Sequence, residues 1–283
     1  MADSQKSKPD HLSLQEAADV LGVHYMTAYR YVRTGRLVAE RRGNQWYVPR
    51  SSIASMRAAS PPGRHKRGSR SGHRDYAGVL ASLLTEGDEA EAWRLAQNAL
   101  ASSFTPEQLY LDVLAPAMHA VGDEWEAGRT SIAEEHRASA LAYRLVGRLG
   151  PSFTRRGPPR GLIVLGTPSG DRHGLATTLL TDPLRGRGFA VADLGADTPA
   201  ASFAEIVTNE DRARAVGIAV SVNVGDEVVS ETIDAIHSAR AVPVLLGGRA
   251  ITSAAHATSL GADAYSDTAG RALAWFDAMN ATA

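Results

Sequence analysis

The sequence predicts a multidomain protein with α and α/β units, and three observations support this. A basic first quarter carries two short helix patterns and a hairpin pattern. The middle has apolar residues at three- and four-residue spacing, and the last part alternates apolar strands with helices. The predicted units are a winged helix-turn-helix at 1–57, a four-helix bundle at 76–150 and an open parallel-sheet domain at 160–283, with linkers at 58–75 and 151–159.

Composition limits the classes of function. The chain of 283 residues has 44% hydrophobic and 22% charged residues and no cysteine. The lack of cysteine excludes disulfide frameworks, zinc–cysteine sites and thiol catalysis, and it favours a cytoplasmic location. The longest apolar stretch, residues 215–225, is far shorter than the roughly 20 residues of a membrane span, so we expect no membrane partner.

Charge is distributed unevenly along the chain. Through Tyr76 there are 14 lysine or arginine residues against 6 aspartate or glutamate residues, a net charge of +8. The remainder has 16 against 25, a net charge of −9. The first quarter is therefore suited to a polyanion, and the remainder is not. The linker at 58–75 is rich in proline, glycine, serine and basic residues, which predicts a flexible cationic segment.

The first unit has the signals of two helices and a wing. Ser13 with Glu16 three residues later predicts a capping box for a helix that stops at Gly22. A second short helix follows, and residues 38–53 predict two strands around Gly43–Asn44. In the helix-turn-helix plan the second helix enters the major groove of DNA. The unit resembles the MerR-type winged helix-turn-helix.

The candidate DNA contacts lie on that second helix and on the wing, where basic side chains would meet phosphates. They are Tyr25, Thr27, Arg30, Arg33, Arg41 and Arg42. The alternative is a protein-binding module with a solvated basic face. The basic charge and the helix-turn-helix motif occur in the same segment, however, as they do in a DNA-binding domain. Double-stranded operator DNA is the expected partner.

The middle unit reads as four helices with short breaks, which makes sequential helices antiparallel neighbours in a bundle. Gly128 ends one helix, and Ser131 begins the next with a capping box. Trp125, Glu135 and His136 should therefore meet at one end of the bundle. On these residues alone, a core tryptophan beside an exposed Glu–His pair is the simpler interpretation.

The third unit predicts a parallel sheet covered on both faces, because continuous apolar strands alternate with helices. The strands begin with GLIVLG at 161–166 and end with DAYSD at 263–267. Ligands in such folds bind beyond the carboxyl ends of the strands. The residues expected at that rim are Asp171, His173, Ser221, Asn223, Gly247 and Gly248.

His173 is the candidate metal ligand at this rim. An acid two residues earlier, Asp171, can bond one ring nitrogen and leave the other to coordinate a metal. Further protein ligands are not evident, which suits a metal already held by a macrocycle. The alternative is an ordinary hydrogen-bonded loop histidine.

At these residues the chain resembles a known family. The cobalamin-binding signature D-x-H-x-x-G, S-x-L and GG is similar to residues 171–176 (DRHGLA), 221–223 (SVN) and Gly247–Gly248. Trp125, nine residues and then Glu135–His136 resemble the W-x9-EH pattern of light-sensing regulators of the CarH/LitR type. Those regulators join a MerR-type domain, a four-helix bundle and a Rossmann-like (flavodoxin-like) cobalamin-binding domain in this order.

The resemblance implies that the cofactor is adenosylcobalamin. It also assigns the residues on the lower side of the cofactor. His173 would be the lower axial ligand to cobalt, with Asp171 as its hydrogen-bonding partner. Ser221 and Gly247–Gly248 would line the channel for the displaced nucleotide tail, where small residues allow close approach.

The resemblance also assigns the upper face and the output. Trp125 would cap the deoxyadenosyl group, Glu135 would help to hold it, and His136 would take the upper cobalt position after light breaks the cobalt–carbon bond. The protein would be a repressor and not an enzyme. It would bind operator DNA as a homotetramer in the dark and be released by light.

Three departures from the signature bear on this interpretation. Ala176 stands where the signature has glycine, and its methyl group is expected to crowd the pocket. Asn223 replaces leucine and would put a polar amide near the pocket. Pro183 is expected to delay or kink the helix after the histidine. Another corrinoid or a bilin is therefore an alternative cofactor.

The same residues bear on other classes of protein. A methyl-carrying corrinoid protein would share the bundle and the cobalamin fold but has no use for a basic winged domain. A cobalamin-dependent mutase needs a substrate barrel, for which no stretch is long enough. Serine hydrolysis lacks a nucleophile elbow. A repressor whose sensor domain has lost its cofactor is the remaining alternative.

Overall fold

A computed structural model describes residues 11–21, 28–29, 31–32, 37–42, 45–53 and 75–279. Its architecture confirms the predicted fold class: a small antiparallel sheet with a helix, then a helical bundle, then a parallel five-stranded α/β domain. No helix within the described ranges has the length and apolar character needed to cross a membrane.

The N-terminal unit is a three-stranded antiparallel sheet packed on a helix. Its elements are β1 (His11–Ser13), α1 (Leu14–Leu21), β2 (Glu40–Arg42) and β3 (Gln45–Pro49), and the strand order is β1-β3-β2. The expected capping box is present, because the Ser13 backbone N–H donates to Glu16 Oε2 at 2.8 Å. The sequence predicts only two of these strands. β1 was missed because three residues are too short to show alternation.

The bundle consists of four helices, as predicted. They are α2 (Tyr76–Glu86), α3 (Glu89–Ala101), a third helix that begins at Pro106–Gln108 and continues as α4 (Ala115–Glu126), and α5 (Ile132–Leu149). The third helix contains a π-helical segment, Leu109–Leu114, before α4. Pro116 lacks the N–H that would continue the regular ladder there, which accounts for the wider turn.

The C-terminal domain is an open parallel sheet with helices on both faces. Its strands are β4 (Leu162–Gly166), β5 (Ala190–Asp193), β6 (Ala213–Ala219), β7 (Val244–Gly247) and β8 (Ala264–Ser266). Its helices are α6 (Leu175–Gly186), α7 (Ala200–Asn209), α8 (Asp226–Ala239), α9 (Ala254–Ser259) and α10 (Ala269–Ala278). The strand order β5-β4-β6-β7-β8 reverses direction between β4 and β6, where ligands bind in such folds.

Two details differ from the sequence-based expectation. α6 begins at Leu175, directly after Gly174, and contains Pro183, so the expected late start is wrong. Burial of Leu179 and Leu184 along the helix outweighs the loss of one backbone hydrogen bond at the proline. The last element predicted from the sequence is β8, whereas the structure has a further helix, α10, whose Phe276 is fully buried against the sheet.

The bundle and the α/β domain share a packed interface. Leu179 of α6 belongs to the apolar core of the bundle. The Tyr110 hydroxyl donates to Asp182 Oδ2 at 2.9 Å, and Arg187 Nη2 lies 2.6 Å from Glu107 Oε1. These contacts hold the bundle beside α6, so that the end of the bundle reaches the rim of the sheet.

Candidate functional site

The loop after β4 is held in one conformation by backbone hydrogen bonds. The Asp171 carbonyl accepts from the Thr167 hydroxyl at 2.5 Å and from the Asp197 N–H at 2.8 Å. Asp197 Oδ1 in turn accepts from the Gly170 N–H at 2.7 Å. Asp197 adopts a positive φ of 54°, which an aspartate tolerates better than most residues. The loop that carries His173 is therefore fastened to the turn after β5.

Asp171 is the centre of the site. Its side chain is fully buried, and Oδ1 accepts from both the backbone N–H of His173 at 3.0 Å and the ring Nδ1 at 2.8 Å. Oδ2 accepts from the backbone N–H of Ser221 at 2.5 Å. One carboxylate thus joins the loops after β4 and β6 across the point where strand order reverses.

His173 is oriented for binding through its second ring nitrogen. Its side chain is 48% exposed, and within the described ranges Nε2 makes no hydrogen bond. The hydrogen bond from Nδ1 to Asp171 raises the pKa of His173 above its ordinary value, burial opposes this, and the charges of Asp171 and Glu135 raise it further. Glu135, from the bundle, therefore lies within electrostatic reach of His173.

The bundle residues of the predicted site lie on two adjoining helix ends. Trp125 is in the last turn of α4 and is partly buried. Glu135 and His136 are in the first turns of α5, where Ser131 and Glu134 form the predicted capping box. The Glu135 side chain is 20% exposed and bonds His136 Nδ1 at 2.7 Å, whereas the His136 side chain is 75% exposed.

The loop after β6 has a structural function. Ser221 contributes its N–H to Asp171, and Asn223 Oδ1 accepts from the Gly225 N–H at 2.9 Å, which stabilises a glycine with φ of 97°. The Asn223 amide is therefore engaged in its own loop. Neither Ser221 nor Asn223 is among the described residues that line the neighbouring cavity.

That cavity, here called the tail cavity, has a volume of about 470 Å³ and opens beside the sheet. Gly247 and Gly248 lie on its wall, together with Ala176 in the first turn of α6. A Cβ on Gly248 would lie 2.3 Å from the Val220 carbonyl oxygen, and one on Gly247 would lie 2.6 Å from that of Ser266. Only glycine allows these close approaches of backbone segments at the wall of the cavity.

Several residues of the site had no sequence signal strong enough to find them. Leu111, Asp112 and His119 of the third helix line the tail cavity from the bundle side. Thr167 and Asp197 fasten the His173 loop. Asp197 lies in the segment 194–199 that follows β5, and a single sequence does not reveal which loops meet.

A junction of all three units lies beside Trp125. Arg249, directly after the two glycines, bonds Asp123 Oδ1 at 2.9 Å and Glu126 Oε2 at 3.0 Å. The Tyr31 hydroxyl of the N-terminal unit donates to the Glu126 carbonyl at 3.1 Å. Carbonyls in the last turn of a helix lack intrahelical partners, so Tyr31 caps the helix that carries Trp125.

The candidate DNA contacts are only partly described. Tyr25, Thr27, Arg30 and Arg33 lie outside the described residues. Arg41 and Arg42 lie on the exposed strand β2, and the Arg42 guanidinium is 2.9 Å from Glu40 and stacks over the Tyr47 ring at 5.5 Å. β2 and β3 form the hairpin that is expected to act as a wing, and both arginines lie on it.

The residues present fit a corrinoid. A histidine whose Nδ1 is bonded to a buried carboxylate presents Nε2 as a metal ligand. The tail cavity begins three residues further along the chain, with Ala176, Gly247 and Gly248 on its wall, and Glu135 of the bundle lies within electrostatic reach of His173. Within the described ranges, no cluster of three or more histidine, aspartate or glutamate side chains is arranged to hold a bare metal ion.

Comparison with protein families identifies the units. Residues 78–149 and 161–274 each match a "B12 binding domain" model, and residues 12–60 match a "Helix-turn-helix domain" model. The bundle and the α/β domain together are thus a corrinoid-binding unit, joined to a helix-turn-helix.

Curated relatives and a solved structure agree with this. The chain is 30% identical over 178 residues to the dimethylamine corrinoid protein of Methanosarcina barkeri, covering 60% of this chain and 81% of that one. It is 26% identical over 192 residues to trimethylamine corrinoid protein 1 of Methanosarcina acetivorans, covering 66% and 88%. The monomethylamine corrinoid protein of M. barkeri has the same fold, with a TM-score of 0.63 at 20% identity, covering 71% and 96%.

Proposed function

We propose a gene-regulatory function for this chain, which belongs to the family of B12-binding corrinoid proteins. The observation that carries the proposal is the contact of Tyr31 with Glu126, because it ties the helix-turn-helix unit to the helix end that bears Trp125. A change at the corrinoid site that moves this helix end would be transmitted directly to the DNA-binding unit.

The second link of the junction supports the same function. Arg249 follows the glycines of the tail cavity and bonds the same helix end through Asp123 and Glu126. Each ion pair is exposed and weak by itself, on the order of 0.2–1 kcal/mol. Such contacts suit a switch, since a small change at the rim is enough to exchange them.

The proposed cofactor is adenosylcobalamin, and the proposed signal is light. When bound, this cofactor would supply a cobalt–carbon bond that visible light breaks. His173 would hold the lower side through Nε2, with Asp171 fixing the ring. Trp125 and Glu135 would cover the upper side, and His136 has the exposure needed to change its partner after light.

The proposed output is repression by an assembled form. Tyr25, Thr27, Arg30 and Arg33, which the sequence predicts on the second helix of the motif, and Arg41 and Arg42 on β2 would contact double-stranded operator DNA in the cytoplasm. A homotetramer in the dark would present several winged units, and avidity would raise operator affinity well above that of one unit. The protein would bind and release DNA without being an enzyme itself.

The test uses the full chain, loaded with adenosylcobalamin in the dark and freed of excess cofactor. Absorption spectra, size-exclusion chromatography and fluorescence anisotropy with a duplex selected from a random library are measured before and after green light. We expect a corrinoid spectrum that changes on illumination, a smaller particle and weaker DNA binding. Retained corrinoid with unchanged DNA binding in every state would contradict the regulatory function.

His136→Ala separates the light response from cofactor binding. The variant should retain adenosylcobalamin in the dark, because His173 and Asp171 are intact, but its spectrum after light should differ from that of the unsubstituted protein. His237→Ala is the control, since His237 lies on α8 and bonds Asp263 at 3.0 Å away from the site. Identical post-light spectra in all three proteins would refute the role of His136.

A methyl-carrying function is the second candidate, because the curated relatives are named methylamine corrinoid proteins. In that case the chain should bind corrinoid and accept a methyl group from a partner methyltransferase, and DNA affinity should not depend on the cofactor. The helix-turn-helix match at 12–60 favours the regulator, since a carrier has no need of DNA.

A further inference from the structure

A second cleft lies on the opposite face of α6 from the tail cavity. It has a volume of about 730 Å³ and runs between α5, α6 and the edge strand β5, under the segment 154–159. The face of α6 turned to this cleft carries Thr178, Thr181, Asp182 and Arg185, whereas Ala176, Thr177 and Leu180 face the tail cavity. The proposed regulatory function makes no use of this cleft.

Asp182 is a buried carboxylate on the wall of this cleft. The residue is only 8% exposed, and within the described ranges its partners are the Tyr110 hydroxyl at 2.9 Å and Arg185 at a longer 3.5 Å. An ionised carboxylate has about four acceptor positions. Asp182 can therefore accept further hydrogen bonds. Burial of a carboxylate with unsatisfied acceptor positions lowers the stability of the folded protein unless a further donor is present.

Asp193, at the end of β5, is also incompletely satisfied. Oδ1 accepts from the Gly195 N–H at 3.1 Å, while Oδ2 faces the hydroxyls of Thr181 at 3.3 Å and Thr178 at 3.5 Å. Each hydroxyl has one proton and a closer acceptor at 3.0 Å, the carbonyl of Thr177 for Thr181 and of Gly174 for Thr178. Oδ2 of Asp193 is thus left without a committed donor.

The rest of the cleft supplies the opposite charge and an apolar wall. Arg155 and Arg156 lie on it; Arg156 is exposed, and within the described ranges its side chain has no hydrogen bond or ion pair. Phe153 and Phe189 contribute apolar surface, beside Pro158 and Pro159. Burial raises the pKa of Tyr143 on the same wall, and the negative charge of Asp193 raises it further, so Tyr143 and Asp193 lie within electrostatic reach of each other.

We propose that this cleft binds a small zwitterion, namely a free α-amino acid with an apolar side chain. The ammonium group would donate to Asp193, with Asp182 as a neighbouring acceptor, and the carboxylate would bind Arg156. The apolar side chain would lie against Phe153 and Phe189. A plain amine would leave Arg156 without a partner, and a plain acid would supply no further donor to Asp182 or Asp193.

The test is isothermal titration calorimetry on the full chain, both cobalamin-loaded and cobalamin-free. The probes are L-leucine, L-phenylalanine and L-methionine, with two analogues of leucine: 4-methylpentanoate, which lacks the amine, and isopentylamine, which lacks the carboxylate. We expect at least one amino acid to bind. Each leucine analogue should bind at least about tenfold more weakly than leucine, which is ~1.4 kcal/mol.

Variants locate the site. Asp193→Asn and Arg156→Gln should each weaken amino-acid binding by about tenfold or more, because each removes one charge-assisted hydrogen bond. Asp211→Asn is the matched control, since Asp211 is an exposed aspartate at the other end of the sheet. All variants should keep cobalamin, whose retention in the same samples reports that they are folded.

Three results would overturn the proposal. The first is no heat of binding from any of the three amino acids. The second is equal binding of 4-methylpentanoate and leucine, which would indicate a simple anion site. The third is unchanged affinity in both Asp193→Asn and Arg156→Gln. None of these results bears on DNA binding or on the light response, so failure here leaves the regulatory function intact.

Discussion

The Asp171 carboxylate shows how a single residue organises the rim. It is fully buried, and it accepts two hydrogen bonds from His173 and one from the backbone of Ser221. Because all three donors are N–H groups, the site needs acceptors on both oxygens. A residue that supplies only one acceptor cannot replace it.

Asp171→Asn tests this directly. The amide would turn an NH2 group toward either His173 or Ser221 and leave a buried donor unpaired, at a cost of about 1–3 kcal/mol in stability. Cobalamin affinity should fall on the order of 10- to 100-fold, because the imidazole loses its orienting partner. Thermal unfolding and cobalamin titration measure the two effects, and Asp211→Asn should show neither. Unchanged cobalamin affinity would remove Asp171 from the site.

Ala176 is the residue at which the chain departs from the glycine of the signature. The structure places it on the wall of the tail cavity and in the first turn of α6. Its methyl group therefore takes space from the cavity. We expect this to weaken the binding of a cofactor that has a nucleotide tail and not of one that lacks it.

Ala176→Gly should consequently tighten cobalamin and leave cobinamide, which lacks the nucleotide tail, unchanged. Glycine near the start of a helix should cost up to about 1 kcal/mol in stability. Ala201→Gly, at the second position of α7, is the matched control for that cost and should not alter cobalamin affinity. Equal gains for cobalamin and cobinamide would show that the methyl group does not act on the tail.

At the scale of elements, the start of α5 sets the positions of Glu135 and His136. Ser131 and Glu134 form a reciprocal cap, with the Ser131 N–H donating to Glu134 Oε2 at 2.7 Å. The third helix of the bundle begins with the same kind of cap at Thr105 and Gln108, far from the rim. The two caps therefore allow local helix stability to be separated from site geometry.

Ser131→Ala and Thr105→Ala should each lower the free energy of unfolding by about 1 kcal/mol, since each removes a capping acceptor. Only Ser131→Ala should also weaken retention of cobalamin, because fraying of the first turn displaces Glu135, which is proposed to cover the upper side of the cofactor. Denaturant unfolding and gel filtration of loaded protein compare the two. If both variants retain cobalamin equally, the first turn of α5 is not part of the site.

At the scale of the whole molecule, contacts from the N-terminal unit and from the sheet meet at the end of α4. Tyr31 is only 3% exposed, so its ring belongs to the core of the N-terminal unit while its hydroxyl reaches Glu126. Arg249 reaches the same helix end from the sheet. Removing the hydroxyl alone should break the link without disturbing either core.

Tyr31→Phe should therefore leave cobalamin affinity unchanged and reduce the difference in DNA affinity between loaded and cofactor-free protein. Loss of a hydrogen bond worth about 0.5–1.5 kcal/mol sets the size of the effect at roughly 2- to 13-fold. Tyr47→Phe is the control, since the Tyr47 hydroxyl bonds Gln45 within the wing at 3.0 Å. Full cofactor dependence in Tyr31→Phe would show that the signal takes another path.

The sequence by itself determined the fold class, the four helices of the bundle and the order of strands and helices up to β8. It also placed Asp171, His173 and the two glycines after strands. These features depend on local periodicity, capping and glycine conformation, which act over a few residues. Where local signals were weak, as in β1 and α10, or where packing outweighed propensity, as at Pro183, prediction failed.

Only the tertiary structure decided which loops meet. The bonds of Asp171 to Ser221 and of Asp197 to Gly170, the bundle residues on the tail cavity and the junction of Tyr31, Glu126 and Arg249 join positions tens to more than a hundred residues apart. The hydrogen bond that Asn223 accepts within its own loop was likewise not apparent from the sequence. Such contacts follow from how the sheet and bundle pack, and no local pattern in one sequence encodes them.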